Sequence, residues 1–146
     1  MHALELLERD HEEVKKLLER GEDTTERAVK TRTDLLRKLK HEMDVHEAIE
    51  EQIFYPALRE HDEAKGIVLE GFEEHHVVDQ LIAELESTDV DDERWAAKFA
   101  VMKENVEHHI EEEEGEMFEI ARKVFGDDRL TELGERMAAK KKGLGG

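Results

Sequence analysis

Two His-x-x-x-Glu pairs, His46/Glu50 and His109/Glu113, recur 63 residues apart (46 to 109). Each is preceded by a lone histidine, His11 and His75, and these recur 64 apart (11 to 75). Laying DHEEVKKLL (10–18) over EHHVVDQLI (74–82) also matches Val14 with Val78, Leu17 with Leu81 and Leu18 with Ile82. Laying HEAIEEQIFYP (46–56) over HIEEEEGEMFE (109–119) matches Glu51 with Glu114 and Tyr55 with Phe118. On a helix, residues four apart share a face, so each paired histidine points with its glutamate. The same faces carry Leu39, Met43 and Ile53 in one case and Met102, Val106 and Ile120 in the other, which is a core pattern. An unpartnered carboxylate there is costly to bury, and a metal ion removes that cost while using the imidazoles as well.

One such pair means little in so acidic a chain, since His108/Glu112 is another. Two lone histidines and two pairs in matching register are hard to obtain from surface chemistry. Divided by the repeat, one ion takes His11 and His46 and a second takes His75 and His109, with Glu50 and Glu113 bridging. Imidazole and carboxylate donors with open positions suit non-haem iron, with manganese and zinc as alternatives. The set is poorer in carboxylates than the four-carboxylate di-iron bundles of the ferritin type.

Helices must position these residues. Apolar residues at three- and four-residue spacing predict a first helix over about Ala3–Arg20, closed by Gly21. A second runs from Asp23 or Thr24 to about Tyr55, where Pro56 stops or kinks it. A third covers about Asp62–Leu85. After the capping loop STDVDD (87–92), a fourth covers Asp92–Phe125, and a tail helix spans about 127–142 before a frayed end. Long helices with short connections predict an all-α, up-down-up-down antiparallel four-helix bundle with a short C-terminal helix. The chain reads as one domain over 1–146, with its four-helix core over about 3–125.

Composition narrows the function. The chain has 146 residues, 42% of them charged, with 40 Asp+Glu against 22 Lys+Arg and a formal charge of -18. That balance argues against nucleic acid and anionic membranes, which need a basic footprint. The absence of cysteine excludes disulfides, thiolate zinc sites and iron–sulfur clusters. No apolar run reaches membrane length and no signal peptide opens the chain, so a cytoplasmic protein is expected, monomeric or a weak homo-oligomer.

From ALELLERDHEEV through HEAIEEQIFYPAL and GFEEHHVVDQLIAEL to HHIEEEEGEMF, the chain resembles the hemerythrin-like, HHE cation-binding family. The resemblance implies an oxo- or hydroxo-bridged di-iron centre and carries over to His11, His46, Glu50, His75, His109 and Glu113. Two positions depart from the oxygen-carrying members. Their further histidine, one turn after the lone histidine of the third helix, is Asp79 here, and their helix-four Asp at i+5 is Glu113 at i+4. Fewer imidazoles leave more replaceable positions, which favours reaction with a small oxidant such as hydrogen peroxide over plain carriage of dioxygen. The alternative is a module that binds or senses oxygen, nitric oxide or iron without turnover.

Asp79 is a candidate ligand, or an acceptor behind one. Glu47 is a second candidate, because in some relatives the residue after the helix-two histidine binds metal. His2, His41, His61, His76 and His108 are expected in solvent. So are Glu111, Glu112 and Glu114. Tyr55, on the far side of a regular helix from His46, is expected to pack, and the basic run 140–142 to need no partner beyond the helix dipole.

Overall fold

The computed structural model describes residues 1–146. It is all-helical, without a strand. Helix α1 spans Ala3–Glu22. His2 is not simply solvated: its Nδ1 accepts from the Leu4 and Glu5 amides at 3.1 and 3.3 Å, and Glu5 returns the bond to the His2 amide, a capping box. Helix α2 covers Val29–Ile49 and begins later than the periodicity predicts. The Thr24 hydroxyl is committed to the Gly21 carbonyl at 2.7 Å, which turns the chain before α2 starts.

A π-helical turn, Glu50–Phe54, continues α2 into α3, Tyr55–Arg59. Pro56 therefore does not stop the rod. The Tyr55 amide reaches back to the Glu50 carbonyl, and the wider turn leaves room for a ring with no N–H to give. A single 3₁₀ turn, Asp62–Ala64, leads into α4, Lys65–Glu86. Helix α5, Glu93–Glu112, is capped by Asp92. A second π turn, Glu113–Met117, carries it into α6, Phe118–Val124. Helix α7 covers Asp127–Gly143.

Helix α1 packs on α2 and α5, α4 packs on α5 and α2, and α7 lies across α1, α2 and the first π turn. Gly134 makes the last contact close. A Cβ there would stand 2.7 Å from the Ala3 amide nitrogen, so α7 presses its backbone on the start of α1. The apolar interior is divided in two. One cluster gathers Leu4, Leu7, Ile49, Phe54, Tyr55, Phe118 and the buried face of α7. The other gathers Val14, Leu18, Leu39, Met43, Val78, Ile82, Trp95, Phe99 and Val106. In sequence, His11, His46, His75 and His109 all fall between members of one cluster and members of the other. No helix is long and apolar enough to cross a membrane.

Candidate metal centre

Six of the predicted residues meet in the layer between the two clusters, all buried. Ligand atoms of His11, His46, Glu50 and Glu113 lie within 4.8 Å of one another, and so do those of Glu50, His75, His109 and Glu113. The two glutamates are common to both groups. His11 Nε2 is 3.1 Å from Glu113 Oε1 and His109 Nε2 is 3.1 Å from Glu113 Oε2, so each oxygen of one carboxylate faces a different half. Glu50 Oε1 lies 3.1 Å from both His46 Nε2 and His75 Nε2.

Behind the imidazoles stands a set of carboxylates that periodicity reads as wet. His11 Nδ1 meets Glu114 at 2.6 Å, His46 Nδ1 meets Asp10 at 2.9 Å, His75 Nδ1 meets Glu51 at 2.7 Å and His109 Nδ1 meets Glu74 at 2.7 Å. The helices are thereby braced in a cycle, each giving a carboxylate to the next one's imidazole: α1 to α2, the π turn after α2 to α4, α4 to α5, and the π turn after α5 to α1. A carboxylate only accepts, so Nδ1 carries the proton and Nε2 is left for the interior. Glu114 is thus corrected from a solvated residue to a half-buried partner of His11. The signal was in the repeat: an acid precedes each lone histidine (Asp10, Glu74) and another follows each paired glutamate (Glu51, Glu114).

The π turns make this possible. At about 100° per residue, an unbroken α-helix would put Tyr55 opposite His46. One extra residue in the turn swings it back by about that angle. Tyr55 Oη then donates to Glu113 Oε2 at 2.8 Å, and its ring stacks on His75 at 5.4 Å. The expectation that Tyr55 only packs is corrected. Space for its hydroxyl depends on Gly71, where a Cβ would lie 2.8 Å from Oη. Phe118, the repeat partner of Tyr55, stacks near His11 without a hydroxyl to offer.

Electrostatics follow from burial against charge. Burial alone would depress each imidazole, but facing carboxylates outweigh it. His11 is raised by Glu113 and Glu114, and His46 well above the usual range by Glu50 and Asp10. His75 reaches about 9, with Glu50 and Glu51 responsible, and His109 about 10, with Glu113 and Glu74. Burial works to raise Glu113, yet the facing Glu50, His109 and His11 side chains hold it well below the usual carboxylate range. Burial raises Tyr55 far above the phenol range, with the charges of Glu113 and Glu50 adding to it.

Glu47 and Asp79 lie outside both inner groups. Glu47 is buried beside His75 and Glu51, one of its oxygens lacks a hydrogen bond, and burial pushes its carboxyl up to about 9. Asp79 is exposed. His76 and His108 are exposed, and His61 rests edge-on against Phe125.

Three buried atoms of the centre, His46 Nε2, His109 Nε2 and Glu50 Oε2, make no hydrogen bond although carboxylates or imidazoles surround them. Unpaired lone-pair atoms of this kind, converging between the two apolar clusters, fit a cation. The hemerythrin HHE cation binding domain family model matches residues 2–121. The chain belongs to that family. Uncharacterised proteins of Mycobacterium tuberculosis and Mycobacterium bovis are 33% identical over 145 residues, covering 96% of this chain and 85% of theirs. The crystal structure of a hemerythrin HHE cation binding domain-containing protein from Mycobacterium kansasii superposes with a TM-score of 0.88 at 28% identity, covering 99% of this chain and 87% of that one.

Proposed function

We propose that the chain holds two iron ions, one by His11 and His46 and one by His75 and His109, with Glu50 and Glu113 shared, and that this centre decomposes hydrogen peroxide. The cycle of contacts among α1, α2, α4 and α5 supports an up-down-up-down four-helix bundle around it. The observation that carries the reading is the common orientation of the imidazoles: every Nδ1 is fixed on a carboxylate, and every Nε2 faces Glu50 or Glu113. Metal-binding histidines are held this way. Manganese or zinc would find the same donors acceptable, but iron suits both the donor set and redox chemistry.

When bound, an iron pair supplies Lewis acidity and a store of two electrons, which is what disproportionation of peroxide into dioxygen and water requires. The chain's own contribution is placement and proton control. Glu50 and Glu113 tie the two halves. Tyr55 keeps a proton at Oη, 2.8 Å from Glu113 and 3.4 Å from His75 Nε2, within reach of any small molecule that enters between them. Phe54 and Phe118 are fully buried beside the centre, Phe118 stacked near His11 and Phe72 edge-on against Tyr55, and this apolar surface excludes bulk water. Elemental analysis of untagged protein, paired with an oxygen electrode, tests this. Dioxygen release should scale with bound iron, at one dioxygen per two peroxides consumed. Iron bound without dioxygen release would favour the binding or sensing alternative, and no transition metal would sink both.

Protons compete for the same nitrogens, which sets a pH dependence. In the metal-free protein His75 and His109 keep their protons to about 9 and about 10, against 6.5 when unfolded. Their stabilisation is complete below the unfolded value and is lost as pH rises toward the folded ones. Glu47, neutral to about 9 when folded, acts in the same direction. Urea midpoints of the metal-free protein should fall between pH 6.5 and 9.5. The added stability from metal should grow over the same interval, because binding displaces those protons.

A further inference from the structure

The two halves of the centre are matched in their imidazoles but not in what stands behind them. Asp10 Oδ2 takes His46 Nδ1 at 2.9 Å, while Asp10 Oδ1 takes the ammonium of Lys141, 131 residues away on α7. Asp10 is 3% exposed and the Lys141 side chain 28%, so the ammonium reaches in from the rim to a buried carboxylate. Its repeat partner Glu74 takes His109 Nδ1 at 2.7 Å but faces Glu112 and His108, not an ammonium. The position of Lys141 is fixed: Leu130, Leu133 and Met137 bury α7 in the core, and the Gly146 amide folds back on the Lys141 carbonyl at 2.9 Å. The basic end of the tail helix, expected to need no partner, therefore has one.

A carboxylate accepting the Nδ1 proton strengthens an imidazole as a donor, because it draws that proton away. An ammonium on the same carboxylate weakens that pull. We propose that Lys141 is a positioning residue that makes the two metal positions unequal, leaving the His11/His46 ion with the weaker donor set and the His75/His109 ion with the stronger. On this basis the tail helix tunes the centre as well as covering it. The proposal rests on the two-ion reading above.

Mössbauer spectra of protein loaded with iron-57 test it. The native diferric protein should show two quadrupole doublets of unequal splitting. Lys141→Met, which keeps the alkyl stem, should move one doublet toward the other, and Lys141→Arg should restore the native pair. In the opposite half, Glu112→Lys, a surface change that sets an ammonium near Glu74, should move the other doublet. If Lys141→Met does not fold, the Glu112→Lys arm decides alone. Doublets that stay fixed in the folded variants, or that move together, would overturn the proposal while leaving the two-ion reading intact. Native protein that takes up no iron would remove both.

Discussion

Glu113→Ala is expected to reduce bound iron to fewer than about one ion per chain and to abolish any peroxide turnover, because support for a metal pair is lost with its shared carboxylate. The size of the effect follows from the position. One carboxylate faces His11 and His109 through different oxygens, lies 4.0 Å from His46 Nε2 and accepts from Tyr55. Removing it leaves positively charged imidazoles facing one another in a buried layer, with only Glu50 to hold them. The variant should therefore be less stable without metal than the native protein at pH 7. Glu113→Gln keeps the volume and one accepting oxygen but not the charge, so it should recover stability before it recovers iron. Elemental analysis beside thermal melts separates the two. Native iron content in a folded Glu113→Ala protein would contradict the assignment.

Trp95→Ala is expected to cost about 3–5 kcal/mol of folding stability, while iron content per folded molecule stays native. Trp95 is fully buried, stacks on Phe99 at 5.0 Å and lies under the Arg32 guanidinium at 4.2 Å. Arg32 in turn donates to the Thr24 hydroxyl and carbonyl at 2.8 and 3.1 Å and to the Val90 carbonyl at 2.6 Å. The indole thus supports the buried cation that ties the loop after α1 to the loop before α5. Its loss opens a cavity and also removes a cation–π contact. None of these atoms belongs to the metal groups, so the effect should appear in urea midpoints and not in iron content. Far-UV circular dichroism is the suitable probe, since the chain has one Trp and the substitution removes it.

The six inward residues and the helices that carry them were readable because both obey one rule, a fixed angle per residue, and because the chain states the rule twice. What escaped has three physical causes. The π turns at Glu50–Phe54 and Glu113–Met117 break the fixed angle, so Tyr55 was placed on the wrong side although its neighbours were placed correctly. In a chain this acidic, a glutamate that holds an imidazole at the rim has the same neighbours in sequence as one in water. Asp10, Glu51, Glu74 and Glu114 differed only in their register within the repeat. Finally, Lys141 meets Asp10 across the whole length of the fold, and Arg32 spans two loops. No local pattern announces a contact made between distant segments.

The circle of acid-to-imidazole braces has a consequence for the order of synthesis. Three of its four links can form once α1, α2, α4 and α5 have left the ribosome as far as His109. The fourth needs Glu114, which is made last and reaches back to His11, near the start of the chain. A nascent polypeptide thus lacks a closed circle of braces until Glu114 has been made.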